Sequence, residues 1–135
     1  MAFVDGQSGG IVKSGRVPSF VKVIGAVSLG DALGYSGGWK RALATVATAI
    51  QMRCIAGEDG VDGQEVLAYF EQADVEGRFT GATAGGAVYV AEGTSNGMYT
   101  QTAPTTTGDC NKIVGYAITA TKLHIEPPLN SDTIA

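Results

Sequence analysis

Along residues 79–102 small and apolar side chains alternate with a period of two. Val88 and Val90 fall on one side of an extended chain, and Ala87, Tyr89 and Ala91 on the other. Asn96-Gly97 follows this run and tolerates the positive φ of a tight turn, so the stretch predicts a β-hairpin, preceded by a separate bend at Gly85-Gly86. The same layout occurs in residues 25–43: a bend at Gly30-Asp31, a strand over 32–36, a Gly37-Gly38 turn and a return strand starting at Trp39. Setting Gly30 against Gly85 also sets Ala32 against Ala87 and Leu33 against Val88. Each copy is followed by an apolar run ending in glycine, at residues 54–57 and 113–115. One supersecondary unit used twice is expected. Two copies are fewer than a solenoid stacks, which predicts a single closed or nearly closed β domain.

Residues 1–23 read as neither helix nor well-patterned strand. Gly6, Gly9, Gly10 and Gly15 interrupt them, and Pro18 confines its stretch to an edge or an extended segment. Yet Phe3, Val4, Ile11, Val12, Val17, Phe20 and Val21 would leave considerable apolar area in water. The expectation is an extended N-terminal arm over 1–23 that leaves its own barrel and packs on a neighbouring subunit or partner, a β-barrel domain over 24–127 and a C-terminal tail over 128–135. Within the barrel, residues 41–53 are Ala-rich but carry β-branched Thr45, Val46, Thr48 and Ile50 and lack caps. Strand or irregular structure is expected there, with a short helix as the alternative. Residues 65–71 predict a strand apolar on both faces, 74–78 a turn, 102–109 a loop, and 113–125 a last strand with a bulge or bend near 120–122. There the apolar parity changes from Val114, Tyr116 and Ile118 to Leu123 and Ile125. Pro127-Pro128 ends that strand, and the tail beyond is expected to be extended.

A length of 135 residues fits one domain. The net charge of −4 argues against a phosphate-binding surface. The charge is uneven: Lys13, Arg16, Lys22, Lys40 and Arg41 against Asp5 and Asp31 leave residues 1–41 at +3, and the remainder at −7. A basic leader on an acidic body suggests docking on acidic protein surface, its own or a neighbour's, and scattered solubilising charge accounts for it equally well. Cys54 and Cys110 lack zinc-site spacing and adjoin apolar runs, so two buried free thiols are expected, with a disulfide second. The sequence shows no charged-then-apolar leader and no apolar run near the roughly 20 residues of a membrane helix, from which a soluble, cytoplasmically made protein is expected.

No constellation for catalysis stands out. His124, between Lys122 and Glu126, reads as an exposed strand histidine, no carboxylate spacing singles out an acid–base pair, and no glycine-rich segment has the phosphate-loop pattern. The acidic loop 57–63 lacks the spacing and closing Glu of an EF-hand and reads as a solvated turn. Trp39, beside a two-glycine turn, is either a binding aromatic or a cross-strand packing residue. No enzyme, no metal, no cofactor and no nucleic-acid or membrane partner is read from the residues.

Seven segments carry a resemblance. They are Gly-Asp-Ala-Leu-Gly-Tyr (30–35), Gly-Gly-Trp-Lys-Arg-Ala (37–42), Cys-Ile-Ala-Gly-Glu-Asp (54–59), Gly-Gln-Glu-Val (63–66), Gly-Gly-Ala-Val-Tyr-Val (85–90), Asn-Gly-Met-Tyr (96–99) and the run from Ile113 to Ile125. In this order, over about residues 23–127, the chain resembles the small head-decoration, or cement, proteins of tailed bacteriophages. The resemblance implies a β-barrel of the β-tulip kind, assembled as trimers or similar clusters on the outer capsid surface of a virion, tying major capsid proteins together. It also implies an N-terminal arm that grips the shell. By chain position that arm is residues 1–23, so Phe3, Val4, Ile11, Val12, Lys13, Arg16, Val17 and Phe20, together with Trp39, are the expected partner-binding residues. A tail-tube or fibre module would share the composition, and a small enzyme or glycan-binding barrel is a third reading that needs a pocket lined by convergent polar groups.

Overall fold

The computed structural model describes residues 2–130 and 134 and is all-β. The strands are β1 (Val4–Asp5), β2 (Ile11–Lys22), β3 (Ala32–Tyr35), β4 (Trp39–Arg41), β5 (Cys54–Ala56), β6 (Glu65–Glu76), β7 (Phe79–Thr80), β8 (Ala87–Val90), β9 (Tyr99–Thr100), β10 (Gly115–Thr119) and β11 (Lys122–Ile125), with one 3₁₀ turn at Val46–Thr48. The uncapped segment 41–53 is thus mostly irregular.

The strand order β4-β3-β5-β6-β11-β10-β8-β9 is a palindrome of the two repeats, with β6 and β11 meeting at the seam. Both expected hairpins form. In the first, Tyr35 faces Trp39 across Gly37-Gly38. In the second, Val90 faces Tyr99, but the connection is wider than two residues: Ala91 N–H bonds to the Met98 carbonyl, and Gly97, at φ +79°, leaves the hairpin to dock on the first repeat. The pairing corrects one detail of the internal alignment. Leu33 faces Cys54 while its counterpart Val88 faces Gly115, so Cys54 matches Gly115 and the glycines ending the two apolar runs are not equivalent.

The stretch 113–125 is also two strands. The chain reverses at Ala120-Thr121, and a register shift at Ala117/Thr119 keeps odd-numbered residues inward on both strands: Gly115, Ala117, Leu123 and Ile125 are buried, whereas Tyr116 and Ile118 are exposed, so the change of apolar parity does not mark a change of buried face. Residues 74–76, expected in a turn, continue β6 because Asp74 and Glu76 have cross-strand partners in His124 and Lys122; the turn begins at Gly77, at φ +96°. Of the tail, residues 131–133 and 135 lie outside the described residues, and Ile134 pairs through its backbone with Gly108 and Asp109.

The N-terminal segment is extended, but it does not leave its barrel. β1 pairs with β7, and β2 runs antiparallel to β6 from Ile11↔Glu76 to Lys22↔Glu65. The conflict between apolar content and strand-breaking residues is resolved at a sheet edge: β2 has β6 on one side only, and its register shifts twice, at Val12/Ser14, where Lys13 is the extra residue of β2, and at Arg16/Pro18, where Val17 stands opposite two residues of β6, Phe70 and Glu71. The acidic surface that the basic leader meets is its own, with Lys13 and Arg16 each 3.6 Å from Glu76 and Glu71.

β6 lies between two cores. Its even-numbered Val66 and Ala68 join Val21, Val23, Leu33 and Cys54, and its odd-numbered Ala73 and Val75 join Phe79, Val88, Leu123 and Ile125. A parallel bridge between Val23 and Trp39 links the end of β2 to β4, so the run β4-β3-β5-β6-β2 curls back on itself. Both cysteines are free and buried; burial pushes the Cys54 thiol up to about 12 and also raises that of Cys110.

Two outcomes follow from this packing. A Cβ on Gly15 would stand 2.5 Å from the Tyr69 ring, so Gly15→Ala should lower stability by about 1–3 kcal/mol, read as a lower urea midpoint, whereas Ser14→Ala should stay within about 0.5 kcal/mol. Alkylation at mildly alkaline pH should leave Cys54 unmodified in native protein and label it on unfolding; rapid native labelling of Cys54 would contradict its burial.

Candidate interaction surface

β2 has the features of a docking edge. Its outer side carries no strand among the described residues, and Ile11, Val17 and Phe20 are exposed, Phe20 to 65 %. An unpaired edge of this length invites further strand addition. Lys13, Arg16, Lys22, Pro18 and the two register shifts limit that to a partner of matching shape and charge. Val17 adopts φ +58°, a left-handed conformation that β-branched residues rarely take, and it does so at the second register shift.

The strained residue faces an apolar groove of about 500 Å³ lined by Val17, Phe70, Glu71, Glu126, Pro127 and Leu129. A second groove of about 570 Å³ lies among Lys22, Ile24, Tyr35, Trp39 and Asp62. An aromatic row connects them: Tyr35 and Trp39 pack edge to face at 5.4 Å, and Trp39 and Phe70 at 5.6 Å. Trp39 therefore serves both readings given to its sequence position, as a half-buried cross-strand residue that also walls a groove.

The structure separates the expected partner-binding residues into two sets. Val4, Ile11, Lys13, Arg16, Val17 and Phe20 are exposed, whereas Phe3 stacks on Phe79 at 6.0 Å and Val12 packs against the larger core. Tyr35, Phe70, Pro127 and Leu129, which complete the grooves, were not among the expected residues; only their proximity in the fold joins them to β2.

Behind this surface lies a buried ionic cluster. Arg78 holds Asp5 in a two-pronged pair at 2.8 Å from Nε and Nη2, and donates from Nη1 to Asp31 Oδ1 at 2.9 Å and to the Leu29 carbonyl at 2.8 Å. Arg41 Nε donates to the other Asp31 oxygen at 2.6 Å, and Gln7 Nε2 to Asp31 Oδ1 at 3.1 Å. The Arg78 guanidinium also lies 5.4 Å from the Phe79 ring and 5.7 Å from that of Tyr99. Burial lowers the Arg78 pKa, but the bond to Asp5 and the nearby charges more than reverse this, leaving it raised. Burial raises the pKa of Tyr99, whose hydroxyl donates to the Gly30 carbonyl.

His124 is not the exposed histidine its sequence context suggests. Its side chain is 15 % exposed, between Asp74 on Nδ1 at 2.5 Å and Glu126 3.4 Å from Nε2, with Tyr116 against the ring. Asp74 on β6 and His124 on β11 face each other directly, so their contact is a cross-strand tie at the β6–β11 seam. No family model, curated protein or solved structure matches the chain.

Arg78→Met keeps the length of the side chain and leaves Asp5 and Asp31 buried without their main counter-charge. It should cost about 3–5 kcal/mol and speed hydrogen exchange at the Gln7 and Tyr99 amides, both of which donate to Asp5. Lys13→Met, at an exposed pair, should change stability by less than about 1 kcal/mol.

Proposed function

We propose that this protein is a capsid-decoration protein of a tailed phage, binding the outer surface of the head through β2 and the adjoining grooves and tying major capsid proteins together as a symmetric cluster. The observation that carries the reading is the free β2 edge, with exposed Ile11, Val17 and Phe20 beside the aromatic row Tyr35-Trp39-Phe70. It supplies unpaired backbone groups for strand addition and apolar pockets for side chains, the two components of recognition at a sheet edge. The sequence resemblance to head-decoration proteins supports the same reading. Lys13, Arg16 and Lys22 along one edge add salt-sensitive attraction to an acidic partner and disfavour pairing of two β2 strands with each other.

The test is to add purified protein to phage heads stripped of their decoration, then measure occupancy and the temperature at which DNA is released. Bound protein should raise that temperature, and Phe20→Asp should weaken binding at least about tenfold while leaving the unfolding midpoint nearly unchanged. Assembly of the isolated protein into rings or fibres without head binding would replace this reading with that of a tail or fibre component. Binding undiminished by both Phe20→Asp and Val17→Asp would remove β2 from the interface.

A further inference from the structure

Residues 44–46 form a ledge held on both sides. On one, Ala44 N–H donates to the Ala91 carbonyl at 2.9 Å and Gly93 N–H to Thr45 Oγ1 at 2.6 Å. On the other, Cys110 N–H donates to the Ala44 carbonyl at 2.9 Å and Val46 N–H to Asp109 Oδ1 at 2.8 Å. These bonds bring the loop bearing Glu92 against the loop bearing Asp109. The two carboxyl groups are close enough to hydrogen-bond to each other when one is protonated.

Asp109 is 1 % exposed, and its Oδ2, on the carboxylate that meets Glu92, has no hydrogen-bond donor. Two residues on, the buried Asn111 Oδ1 lacks one too. These are the two orphaned buried side-chain polar atoms among the described residues, and both are acceptors. A buried acceptor without a donor carries its full desolvation cost, and a carboxylate beside a second carboxylate adds repulsion. One positive ion beside the Glu92–Asp109 pair would offset the repulsion and give Asp109 Oδ2 its missing partner.

We propose that Glu92, Asp109 and Asn111 form a calcium site that fastens the 91–93 and 109–111 loops to the ledge at 44–46. Two carboxylates and an amide oxygen are hard donors that balance a divalent charge, and calcium accepts the irregular arrangement of side-chain, backbone and water oxygens that three loops provide; magnesium demands a stricter octahedron. Among the described residues no group of three His, Cys, Asp or Glu side chains is placed to hold a metal, so the set depends on the Asn111 amide oxygen, and a set of oxygen donors disfavours a soft metal. The acidic loop 57–63 is already committed. Glu58 Oε2 accepts from Leu67 N–H, Asp59 Oδ1 from Leu29 N–H and Asp62 Oδ1 from Gly25 N–H.

The competing occupant is a proton shared between Glu92 and Asp109. The bond to Asp109, followed by burial and the Asp109 charge, raises the Glu92 pKa. A proton-bridged pair therefore contributes stability at low pH and loses it as pH rises through the raised value. Asp109 and, beside Cys110, Arg53 are the charged groups recorded around the site.

The experiment is calorimetric unfolding of the full chain near pH 7 after chelator treatment, with millimolar calcium chloride or magnesium chloride added, on wild type, Glu92→Gln and Asp109→Asn. Calcium should raise the wild-type Tm by several degrees, more than magnesium does. Both isosteric variants should lose most of that shift. Asn at 109 retains an acceptor for Val46 N–H, and Glu92→Gln, at the more exposed partner, decides the matter if Asp109→Asn fails to fold. A wild-type Tm indifferent to calcium overturns the site in favour of the shared proton. An equal calcium shift in wild type and Glu92→Gln overturns it by placing the ion elsewhere.

Discussion

The two-pronged pair between Arg78 and Asp5 is the contact on which the arrangement of the chain depends. Arg78, Asp5 and Asp31 have side chains at most 1 % exposed, and with Arg41 they bring two positive and two negative charges together. Burying them costs several kcal/mol per ion, and that cost is offset only when each lone pair and each N–H finds its partner. The partners come from separate parts of the chain: Asp5 from β1, Asp31 from the corner before β3, Arg41 from β4, Arg78 from the turn after β6. The first residues of the chain are therefore a required component of the barrel, since without Asp5 the guanidinium would lose its paired acceptor inside the protein.

The same cluster explains why two similar repeats make an asymmetric domain. In the repeat alignment Asp31 corresponds to Gly86, so only the first copy has a carboxylate at its corner. Gly97 of the second copy sits on that carboxylate: a Cβ there would stand 3.0 Å from it, and the Gly97 carbonyl and N–H bond to Ala32 and Ala42. One half supplies the charge and the other a close-approaching turn. At the seam, β6 buries opposite faces in two cores, and its pairing with β11 joins the palindromic halves.

The hairpins and the repeat could be read from the sequence because their determinants are local. Alternation around Val88 and Val90 and the glycines at 37, 38 and 97 act within a few residues of themselves. The placement of residues 1–23 could not, since Asp5 is one acidic residue among many until Arg78, 73 positions away, is folded against it. The reversal at Ala120-Thr121 has no Gly, Pro, Asn or Asp to mark it, and the exposed apolar Tyr116 and Ile118 imitated a change of buried face. For the interaction surface, the exposed residues of β2 were evident from composition, while Phe70, Pro127 and Leu129 required the fold. Glu92 and Asp109 gave no spacing signal, because the ledge at 44–46 brings them together from distant loops.

Correcting the placement of the N-terminal segment strengthens its suitability for docking. A free arm would be ordered only on binding, at about 1–2 kcal/mol per residue. In β2 that cost is met during folding by twelve residues laid along β6, with Val12 and Val21 turned inward. What remains for a partner is a preformed edge, and preorganised edges bind with a smaller entropic penalty. The strained backbone at Val17 fits the same account: the shift at Arg16/Pro18 interrupts regular pairing and places Val17 in the groove wall beside Phe70. Self-association is restrained by like charge, since an antiparallel pair of β2 strands would bring two sets of Lys13, Arg16 and Lys22 together. Lys13 and Arg16 are only loosely held by Glu76 and Glu71, at 3.6 Å and largely in solvent, so they can turn to an incoming acidic strand without leaving a buried charge behind.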